Sequence, residues 1–580
     1  MAKNVSTRSL ACCRVMRLRR LLVAMRQIFS ENELDSDRDD VATQMTTEGL
    51  DQGVSSSIRR DTILVTLCTL FSRITGFGRV VATAAVLGVG LLGDVYQTAN
   101  MIPNLMFELV AGGVLQAVLV PSFVAARREG GDATLSEATQ ATSAVIMLVL
   151  TMVAIVGAAA SPLLGRLLLL AEPSQSIAAS KLHLMVPMVL VFVPQLICYG
   201  VSTVTSAALN AKGGYVAAAL APAVNNVIVI IACVAFRATR DGAVADLNLT
   251  HWEFVLIAGG TTLAVVVSSL TPALALRRAG VHWLPRWHPR HPAVQSMRRS
   301  FGWATLSIVG TLVPTAAALA LGNGAPGGVA VFVYAFAFYV LPHALIAVTI
   351  ATTLGPRVAD GWQAGRVDEV RAAIDYAMRV TVPLLVLAGA GMVALAWPLT
   401  RLVAGVGQTS GQGLAPIAHT LAAFGPGLVG YGSAFIMTRV LFVLGDVRRA
   451  STLMVAGAVV GVVTMAVASA LLPTSSRAAA LAIGYGAAQT VSAVLLGVRV
   501  RRLTGALHLR RIGRLVLESL VSAAASIAMM VWLVISFDTT RRQALVAFLL
   551  GGSAGVAVFA CSMSLFRRRE LFGRRSRQPG

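Results

Sequence analysis

Long apolar stretches alternate with short polar connections along most of the chain. Between residues 58 and 566, fourteen stretches are long enough to cross a bilayer as a helix, which takes about 20 residues. They are centred near residues 75, 113, 153, 196, 228, 265, 311, 343, 391, 430, 461, 488, 525 and 555. The pattern predicts an all-α polytopic membrane protein with fourteen transmembrane helices. The even number places both termini on one side of the membrane.

The first apolar stretch carries a regular polar stripe. Small, polar or basic residues recur on it every three or four positions, as one face of a helix requires: Thr62, Thr66, Thr69, Arg73, Gly76, Arg79 and Thr83. A charged side chain at mid-bilayer costs roughly 2.5 to 3.5 kcal/mol, so it normally faces a protein interior or a watery cavity. The stripe predicts an internal cavity. Arginines that merely reach back to the membrane surface are the alternative.

Composition supports a membrane protein and excludes other classes. Of the 580 residues, 56% are hydrophobic and only 13% are charged, and the mean hydropathy is +0.75, values that a water-soluble domain does not sustain. The net charge of +22 does not indicate a nucleic-acid partner, because the arginines are spread over short connections. Alternate connections hold most of them. The positive-inside rule therefore predicts that these connections and both termini are cytosolic.

Two regions of the chain resemble each other and indicate an internal repeat. Residues 187–226 and 426–461 each combine a long apolar helix, a short polar turn and a second helix. The turns follow the fourth and tenth predicted spans, so the repeat has a period of six helices and both copies enter the membrane from the same side. The substrate site is predicted between the two lobes.

The repeat and the composition together predict five domains. They are a disordered cytosolic extension (1–57), a first lobe of six helices (58–288), a second lobe of six helices (289–514), two further helices (515–566) and a basic cytosolic tail (567–580). Within the extension, leucines alternate with arginines between residues 14 and 26. This segment is predicted to contact anionic membrane lipid as an amphipathic helix.

Residues for catalysis or for a bound cofactor are scarce. The chain has no phosphate-binding loop of the G-x-x-x-x-G-K-[ST] type, no H-E-x-x-H and no G-x-S-x-G, so neither an ATP-driven pump nor a hydrolase is indicated. His288 and His291 lie in a basic connection and are interpreted as part of a solvated connector, in preference to a metal site. The sequence predicts a transporter and no enzyme, with no metal and no cofactor.

Helix-breaking residues concentrate in the second and eighth predicted spans, which occupy equivalent positions in the two lobes. In a membrane such breaks persist only where neighbouring groups or water satisfy the freed carbonyl groups. We therefore predict that these two spans line the cavity and act in gating, with ordinary packing irregularity as the alternative. The residues are Pro103, Gly112, Gly113 and Pro121 in the second span and Pro342 and Pro356 in the eighth.

Several short motifs occur in an order and spacing that are specific to one family. The first is Ser72-Arg73-Ile74-Thr75-Gly76-Phe77-Gly78-Arg79, and Asp94 and Ile102-Pro103-Asn104-Leu105 follow it. Later ones are Leu209-Asn210, Ala221-Pro222, Tyr334-Ala335, Leu341-Pro342, Leu354-Gly355-Pro356, Arg439 and Gly445-Asp446. In these motifs the chain closely resembles the MurJ (MviN) family of lipid II flippases, over residues 59–566.

The resemblance implies the MOP exporter fold, which MATE transporters share. It also implies transfer of the undecaprenyl-pyrophosphate-linked peptidoglycan precursor, lipid II, to the outer leaflet of a bacterial plasma membrane by alternating access. By this resemblance Arg73 and Arg79 bind the diphosphate, because arginines hold phosphate oxygens through charge-assisted hydrogen bonds. The other implied cavity or gating residues are Asp94, Pro103, Asn104, Glu108, Pro342 and Arg439.

The chain departs from the family pattern at two places. Many members carry arginine where this chain has Phe107 and Glu108, and Asp-Arg where it has Phe336 and Ala337. Either Arg73 and Arg79 suffice, with Arg439 nearby, or the head group is bound differently. Actinobacterial members vary at these places, and the arginine-rich, lysine-poor composition resembles theirs.

Two other functions stay open on the sequence alone. Another exporter of the same fold, for a drug or a lipid-linked oligosaccharide, shares the architecture, although a cation-drug exporter needs acidic cavity residues and the deepest charges here are basic. A scaffold without transport activity, which recruits cell-wall synthesis or division proteins through residues 1–57, belongs to a different class. The predicted partners are therefore lipid II, membrane lipids and such proteins. The coupling to membrane potential, Na⁺ or H⁺ stays open as well.

Overall fold

The structure is a computed structural model that describes residues 48–111, 114–240, 247–404, 413–537 and 540–575. Its contacts divide the chain into two units, residues 1–63 and residues 64–580. In the first unit the described part is the start of helix α1, which begins at Glu48, before the predicted domain boundary at residue 58. The rest of the predicted disordered extension lies outside the described residues, as does the end of the basic tail.

The described residues are almost entirely helical and contain no strand. The first ten helices are α1 (Glu48–Leu87), α2 (Leu91–Ala111), α3 (Val114–Ala159), α4 (Ser161–Leu168), α5 (Gln175–Phe192), α6 (Gln195–Lys212), α7 (Tyr215–Thr239), α8 (His251–Phe254), α9 (Gly260–Arg278) and α10 (Pro292–Gly322). The others are α11 (Gly328–His343), α12 (Thr349–Gln363), α13 (Val367–Ala394), α14 (Ala396–Ala404), α15 (Leu414–Phe424), α16 (Gly427–Val443), α17 (Val447–Leu471), α18 (Arg477–Thr504), α19 (Leu509–Phe537) and α20 (Arg541–Arg575).

Many of these helices are long and apolar enough to cross a bilayer. The described residues contain 12 such helical segments, or 13 when the bent pair α15 and α16 counts as one span. The predicted class, an all-α polytopic membrane protein, is therefore confirmed. The predicted number of fourteen stays a prediction, because residues 112 and 113, in the second predicted span, lie outside the described residues.

Helix breaks divide several of the spans. Gly130 and Gly131 have non-helical backbone angles inside α3, where Gly131 has φ +68°, so α3 is two helices joined by a turn. A π-helical turn at Ala344–Val348 joins α11 to α12, directly after Pro342, and a second one at Val255–Gly259 joins α8 to α9. Such π-turns are rare and often lie at functional sites.

Buried apolar side chains form two large clusters. One extends from Val86 to Met297, and the other contains Ala84 and residues between Ala318 and Met563. We use "first group" for helices α2–α9 and "second group" for α11–α18, which contribute most of these two clusters. The end of α1 contributes to both, through Ala84 on one side and Val86 and Leu87 on the other. Helix α1 is therefore placed to line any space between the two groups.

Two turns of the predicted repeat have the same backbone geometry. The turn between α6 and α7 contains Gly213 with φ +86°, and the turn between α16 and α17 contains Gly445 with φ +80°. Glycine adopts this left-handed conformation without the steric cost that other residues meet. In each turn a carboxylate pairs with a basic side chain, Asp132 with Lys212 at 2.7 Å and Asp446 with Arg499 at 2.5 Å.

Candidate substrate cavity and intergroup contact

Arg73 lines a cavity of about 450 Å³ between α1, α7 and α11. Thr69 and Gly76 of the predicted polar stripe line the same cavity, as does Ser72, and Pro222 and Ala337 line other sides of it. The Arg73 side chain is exposed, and among the described residues no carboxylate forms an ion pair with it. The cavity thus contains a cation that is available to an anionic ligand.

Asn226 fixes the part of α1 that carries Arg73. Its amide Nδ2 donates to the Ser72 carbonyl oxygen at 3.3 Å and to Thr75 Oγ1 at 3.4 Å. The side chain fits because residue 76 is glycine, since a Cβ at Gly76 would lie 3.2 Å from Asn226 Nδ2. On the other side, the ring of Phe77 meets Phe338 of α11 edge to face at 5.2 Å. Helix α1 is therefore anchored to both helix groups next to Arg73.

Arg79 lies further along α1 and outside the residues that line this cavity. It is half-buried and acts electrostatically on three groups of the first helix group, Tyr96, Tyr199 and Cys233. Six residues separate it from Arg73, which is about 9 Å along a helix. Arg79 is therefore not among the described residues that line the cavity beside Arg73.

The predicted residues of α2 have different surroundings. Pro103 is buried, and the Asn104 amide donates to the Asn100 carbonyl oxygen of its own helix at 2.7 Å. Glu108 is exposed. Pro103 and Asn104 therefore shape the helix, whereas the Glu108 side chain stays accessible.

Asp94 forms a contact between the two helix groups. Its carboxylate accepts hydrogen bonds from the backbone N–H groups of Gly327 (2.7 Å), Val329 (3.0 Å) and Ala330 (2.9 Å), at the start of α11. These N–H groups have no partner within their own helix, and the positive end of the helix dipole favours a carboxylate there. Asp94 is fully buried. We call Asp94 with these three N–H groups the intergroup contact.

Backbone packing makes the intergroup contact tight. Gly327 has φ +77°, and a Cβ at this position would lie 1.8 Å from the Val89 carbonyl oxygen. The Tyr334 hydroxyl donates to the Gly88 carbonyl oxygen at 3.3 Å. The turn between α1 and α2 therefore lies directly against the turn between α10 and α11, with no space for a side chain at residue 327.

Lys181 and Glu172 complete the charges around Asp94, and the sequence analysis did not single them out. The Lys181 ammonium lies 2.8 Å from Glu172 Oε2 and 3.9 Å from Asp94 Oδ2, and it donates to the Asn323 carbonyl oxygen at 3.2 Å. The Lys181 side chain is fully buried. The sequence offered one signal, a single lysine among the apolar residues that precede Pro187.

An aromatic cluster lies where the second group departs from the family pattern. Phe336 packs against Phe332, Phe424 and Tyr485 at centroid distances of 5.2 to 5.9 Å. Such aromatic contacts add about 0.5 to 1.5 kcal/mol per pair beyond the burial of area. The neighbouring Ala337 lines the Arg73 cavity. The second group therefore presents an aromatic and small-residue surface where many family members are expected to carry charge.

Pro342 and Arg439 lie near a second aromatic group. Pro342 is followed by His343, whose ring stacks on Tyr431 at 3.8 Å, and then by the π-turn that ends α11. The Arg439 guanidinium lies over the Phe435 ring at 5.2 Å, within cation–π range. Arg439 is exposed but does not line the Arg73 cavity. The predicted position of Arg439 near Arg73 and Arg79 is thus not observed in this conformation.

His288 and His291 lie in the connection between α9 and α10. Together with Arg286, Arg290 and Glu137 they line a cavity of about 770 Å³. Burial lowers the pKa of His291, and the Glu137 carboxylate opposes this effect. The connection is held against α3 by the Arg286 N–H, which donates to the Gln140 carbonyl oxygen at 3.2 Å. These residues therefore form an ordered basic surface.

The fold belongs to a known class of membrane transporters. The structure of an inward-facing multidrug resistance MATE family transporter of the MOP superfamily matches 77% of this chain and 98% of its own, with a TM-score of 0.58 and 16% identity. A lipid II flippase MurJ structure in an inward closed conformation matches 88% of this chain and 100% of its own, with a TM-score of 0.68 and 17% identity. The predicted MOP exporter fold is confirmed.

The sequence comparison then specifies the family. The family model described as lipid II flippase MurJ matches residues 83–551, so the chain belongs to the MurJ family. A probable lipid II flippase MurJ of Rhizobium meliloti is 26% identical over 524 residues, which is 86% of this chain and 94% of the relative. The lipid II flippase MurJ of Burkholderia cenocepacia is 26% identical over 490 residues, 82% of this chain and 90% of the relative.

The resemblance seen in the short motifs is thereby confirmed. The match to the family model begins at residue 83, so Arg73 and Arg79 precede it. Their assignment to the diphosphate therefore stays a prediction, supported by the motif that contains them and by the cavity beside Arg73.

Proposed function

We propose that this protein moves lipid II from the inner to the outer leaflet of a bacterial plasma membrane by alternating access, as a transporter and not as an enzyme. The proposal follows from membership of the family described as lipid II flippase MurJ. The observation that carries it is the cavity beside Arg73, which helices of both groups line and which contains an arginine that pairs with no carboxylate in the described part of the chain. Lipid II carries an anionic diphosphate, which matches such a cavity.

The diphosphate is the part of the substrate that Arg73 binds in this proposal. An arginine binds phosphate oxygens through two parallel N–H donors, so it gives both charge and orientation. Ala337, a small residue on another wall of the cavity, leaves the space beside Arg73 open to the diphosphate. The isoprenoid tail stays in the lipid. Arg79 acts later along the path, because it lies about 9 Å further along α1.

The intergroup contact closes one end of the path between the two groups. The turns that form it, residues 88–94 and 323–330, contain no lysine or arginine. The connections at the other end contain Arg127, Arg128 and Lys212. By the positive-inside rule the contact lies on the external side, and both termini are cytosolic. The conformation described here is then closed to the outside, and transport requires the contact to separate.

The membrane potential favours the outward step. The head group is anionic, and a potential that is positive outside contributes about 2.3 kcal/mol per charge per 100 mV. Whether Na⁺ or H⁺ adds to it is a separate question. Cell-wall synthesis or division proteins as partners stay a prediction, since residues 1–47 lie outside the described residues.

Depletion of the protein in its host tests the proposal. The total lipid II pool and the lipid II exposed on the outer membrane face are both measured, with the native protein or the variant Arg73→Ala/Arg79→Ala supplied in trans. We expect total lipid II to rise and exposed lipid II to fall on depletion. The native protein should reverse both changes and the double variant should not.

A matched control uses Arg166, an exposed arginine of α4 that does not line the cavity. Arg166→Ala should restore export like the native protein. Unchanged lipid II exposure on depletion would contradict the proposal and favour another lipid-linked glycan as substrate. Full restoration by the double variant would contradict the role of the two arginines and favour the scaffold.

A further inference from the structure

Lys181 is a buried cation that lies near two carboxylates, those of Glu172 and Asp94. Its ammonium pairs closely with Glu172, at 2.8 Å, and only loosely with Asp94, at 3.9 Å. Charge-assisted N–H···O bonds are normally about 2.7 to 2.9 Å long, so the Asp94 carboxylate is near the ammonium without being bonded to it. In this conformation Asp94 is satisfied by the three N–H groups of α11 instead.

The partners of Asp94 and Lys181 are divided between the two helix groups. Asp94, Glu172 and Lys181 precede α6 in the chain and lie on the side of the first group. Asn323, in the turn between α10 and α11, and the three N–H groups that Asp94 accepts from lie on the other side of the contact. Separation of the groups therefore removes three donors from Asp94 and one acceptor from Lys181 at the same moment. A buried charge that loses its partners is strongly unfavourable.

We propose that Lys181 is a positioning residue of the transport cycle, which forms an ion pair with the Asp94 carboxylate when the intergroup contact separates. As long as the contact is closed, Glu172 holds the Lys181 ammonium away from Asp94. The meaning for transport rests on the proposed function, but the exchange of partners is a property of the contact itself. The ammonium moves by only about 1 Å to reach the usual length of a charge-assisted hydrogen bond. Both states of the contact then keep Asp94 paired.

The proposal predicts opposite effects for two neighbouring residues. Lys181→Met removes the partner of the separated state and leaves the three N–H donors of the closed state, so the separated population falls. Glu172→Gln weakens the hold on Lys181 and makes it available to Asp94, so the separated population rises. A purely structural role for the cluster predicts that both substitutions loosen the contact in the same direction.

The distance between two spin labels measures this population. The full chain, with its six cysteines replaced, is labelled at residues 90 and 326 and reconstituted in proteoliposomes without substrate. A side chain at residue 90 meets nothing within 4 Å, and Pro326 is exposed, so both positions accept a label. Residue 90 lies beside α2 and residue 326 beside α11, on the two sides of the intergroup contact.

We expect the long-distance population to fall by about 5-fold or more in Lys181→Met and to rise by a similar factor in Glu172→Gln, the lower range of typical coupling effects. Adding Asp94→Asn to Lys181→Met should raise the population again, because residue 94 then carries no charge that needs Lys181 as its partner in the separated state. Lys212→Met, which removes a cation bonded to Asp132 at 2.7 Å at the other end of the bundle, should leave the distances unchanged.

Changes of the same sign in the two single variants, or no change in either, would overturn the proposal. If Lys181→Met does not give a monodisperse protein, Glu172→Gln alone decides, because a fall or no change in its long-distance population contradicts the exchange. The readout uses no lipid II. If the two variants shift the long-distance population in opposite directions as expected, but depletion leaves lipid II export unaltered, the proposed function is rejected and this inference stands.

Discussion

The intergroup contact and the Arg73 cavity use charge in opposite ways. At the contact, Asp94, Glu172 and Lys181 are all buried. Lys181 pairs with Glu172 at 2.8 Å, and Asp94 accepts a hydrogen bond from the Gly327 N–H at 2.7 Å. In the cavity, Arg73 is exposed and has no ion-pair partner among the described residues. Among the described residues, the contact thus pairs its three buried charges, whereas Arg73 is available to the anionic ligand of the proposed function.

The groups that stabilise the closed conformation also differ in kind from the groups that line the Arg73 cavity. The contact is formed by backbone N–H groups, which cannot be removed by side-chain substitution on α11, and by a glycine that admits no side chain. The cavity is formed by side chains that approach from three helices. Substitutions at the contact should therefore change the population of states, and substitutions in the cavity should change affinity.

The largest expected effect comes from Asp94→Ala. This change leaves three N–H groups at the start of α11 without their acceptor and removes the anion that lies 3.9 Å from the Lys181 ammonium. Breaking a buried charged contact in this way costs about 3 to 5 kcal/mol. We expect the closed state to lose at least 100-fold in relative population, measured with the labels at residues 90 and 326. Asp132→Ala, at an exposed pair on α3, is the control and should not change the distances. An unchanged closed population in Asp94→Ala would show that the contact does not hold the groups together.

Gly327→Ala should give the next largest effect. The new Cβ would meet the Val89 carbonyl oxygen and would also hold alanine at positive φ, so we expect a loss of about 2 to 3 kcal/mol. The measurement is the midpoint of thermal unfolding in detergent. Gly365→Ala is a matched control, because Gly365 has φ +69° but nothing within 4 Å of its Cβ position. Equal shifts in the two variants would mean that close packing at residue 327 contributes nothing.

Arg73→Gln should weaken substrate binding without changing the population of states. Loss of one charge-assisted interaction should weaken lipid II binding about 10-fold, or roughly 1.4 kcal/mol. Binding is measured by titration of the purified protein with lipid II in nanodiscs. The lipid II affinity of Arg73→Lys should lie between those of the native protein and Arg73→Gln, because lysine keeps the charge but lacks the planar pair of donors.

A second substitution tests whether charge in the cavity is the cause. Ala337 lines the same cavity as Arg73, at a place where many family members are expected to carry arginine. In the Arg73→Gln background, Ala337→Arg should recover part of the lost affinity, by about 3-fold or more. No recovery would indicate that Arg73 acts through a specific geometry and not through the charge of the cavity.

Asn226→Ala should give the smallest effect. It removes two long hydrogen bonds to α1, of 3.3 and 3.4 Å, which together contribute about 1 kcal/mol. We expect a small fall in the thermal midpoint and a slight loss of lipid II affinity, because Arg73 becomes less well positioned. Asn104→Ala is the control, since that amide bonds only within its own helix. A larger loss of affinity in Asn104→Ala than in Asn226→Ala would contradict the role of Asn226 in positioning Arg73.

Much of the architecture could be predicted from the sequence, because hydrophobic length and the period of polar residues are local properties. The stripe on α1 predicted a cavity, and the structure places Arg73, Thr69 and Gly76 at one. The family could also be predicted, since short motifs retain the residues that a turn or a close approach requires. Asp94 was predicted from such a motif, but its role in joining the two groups was not.

The sequence by itself determined the helical class of this protein, its membrane location and its family, since each depends on the order of apolar and polar residues along the chain. Only the tertiary structure decided the partners of the buried charges. Asp94 meets Gly327 across 233 residues, and Lys181 meets Asn323 across 142. Neither contact can be predicted from local periodicity, because the groups that stabilise each buried charge are brought together only in the folded chain.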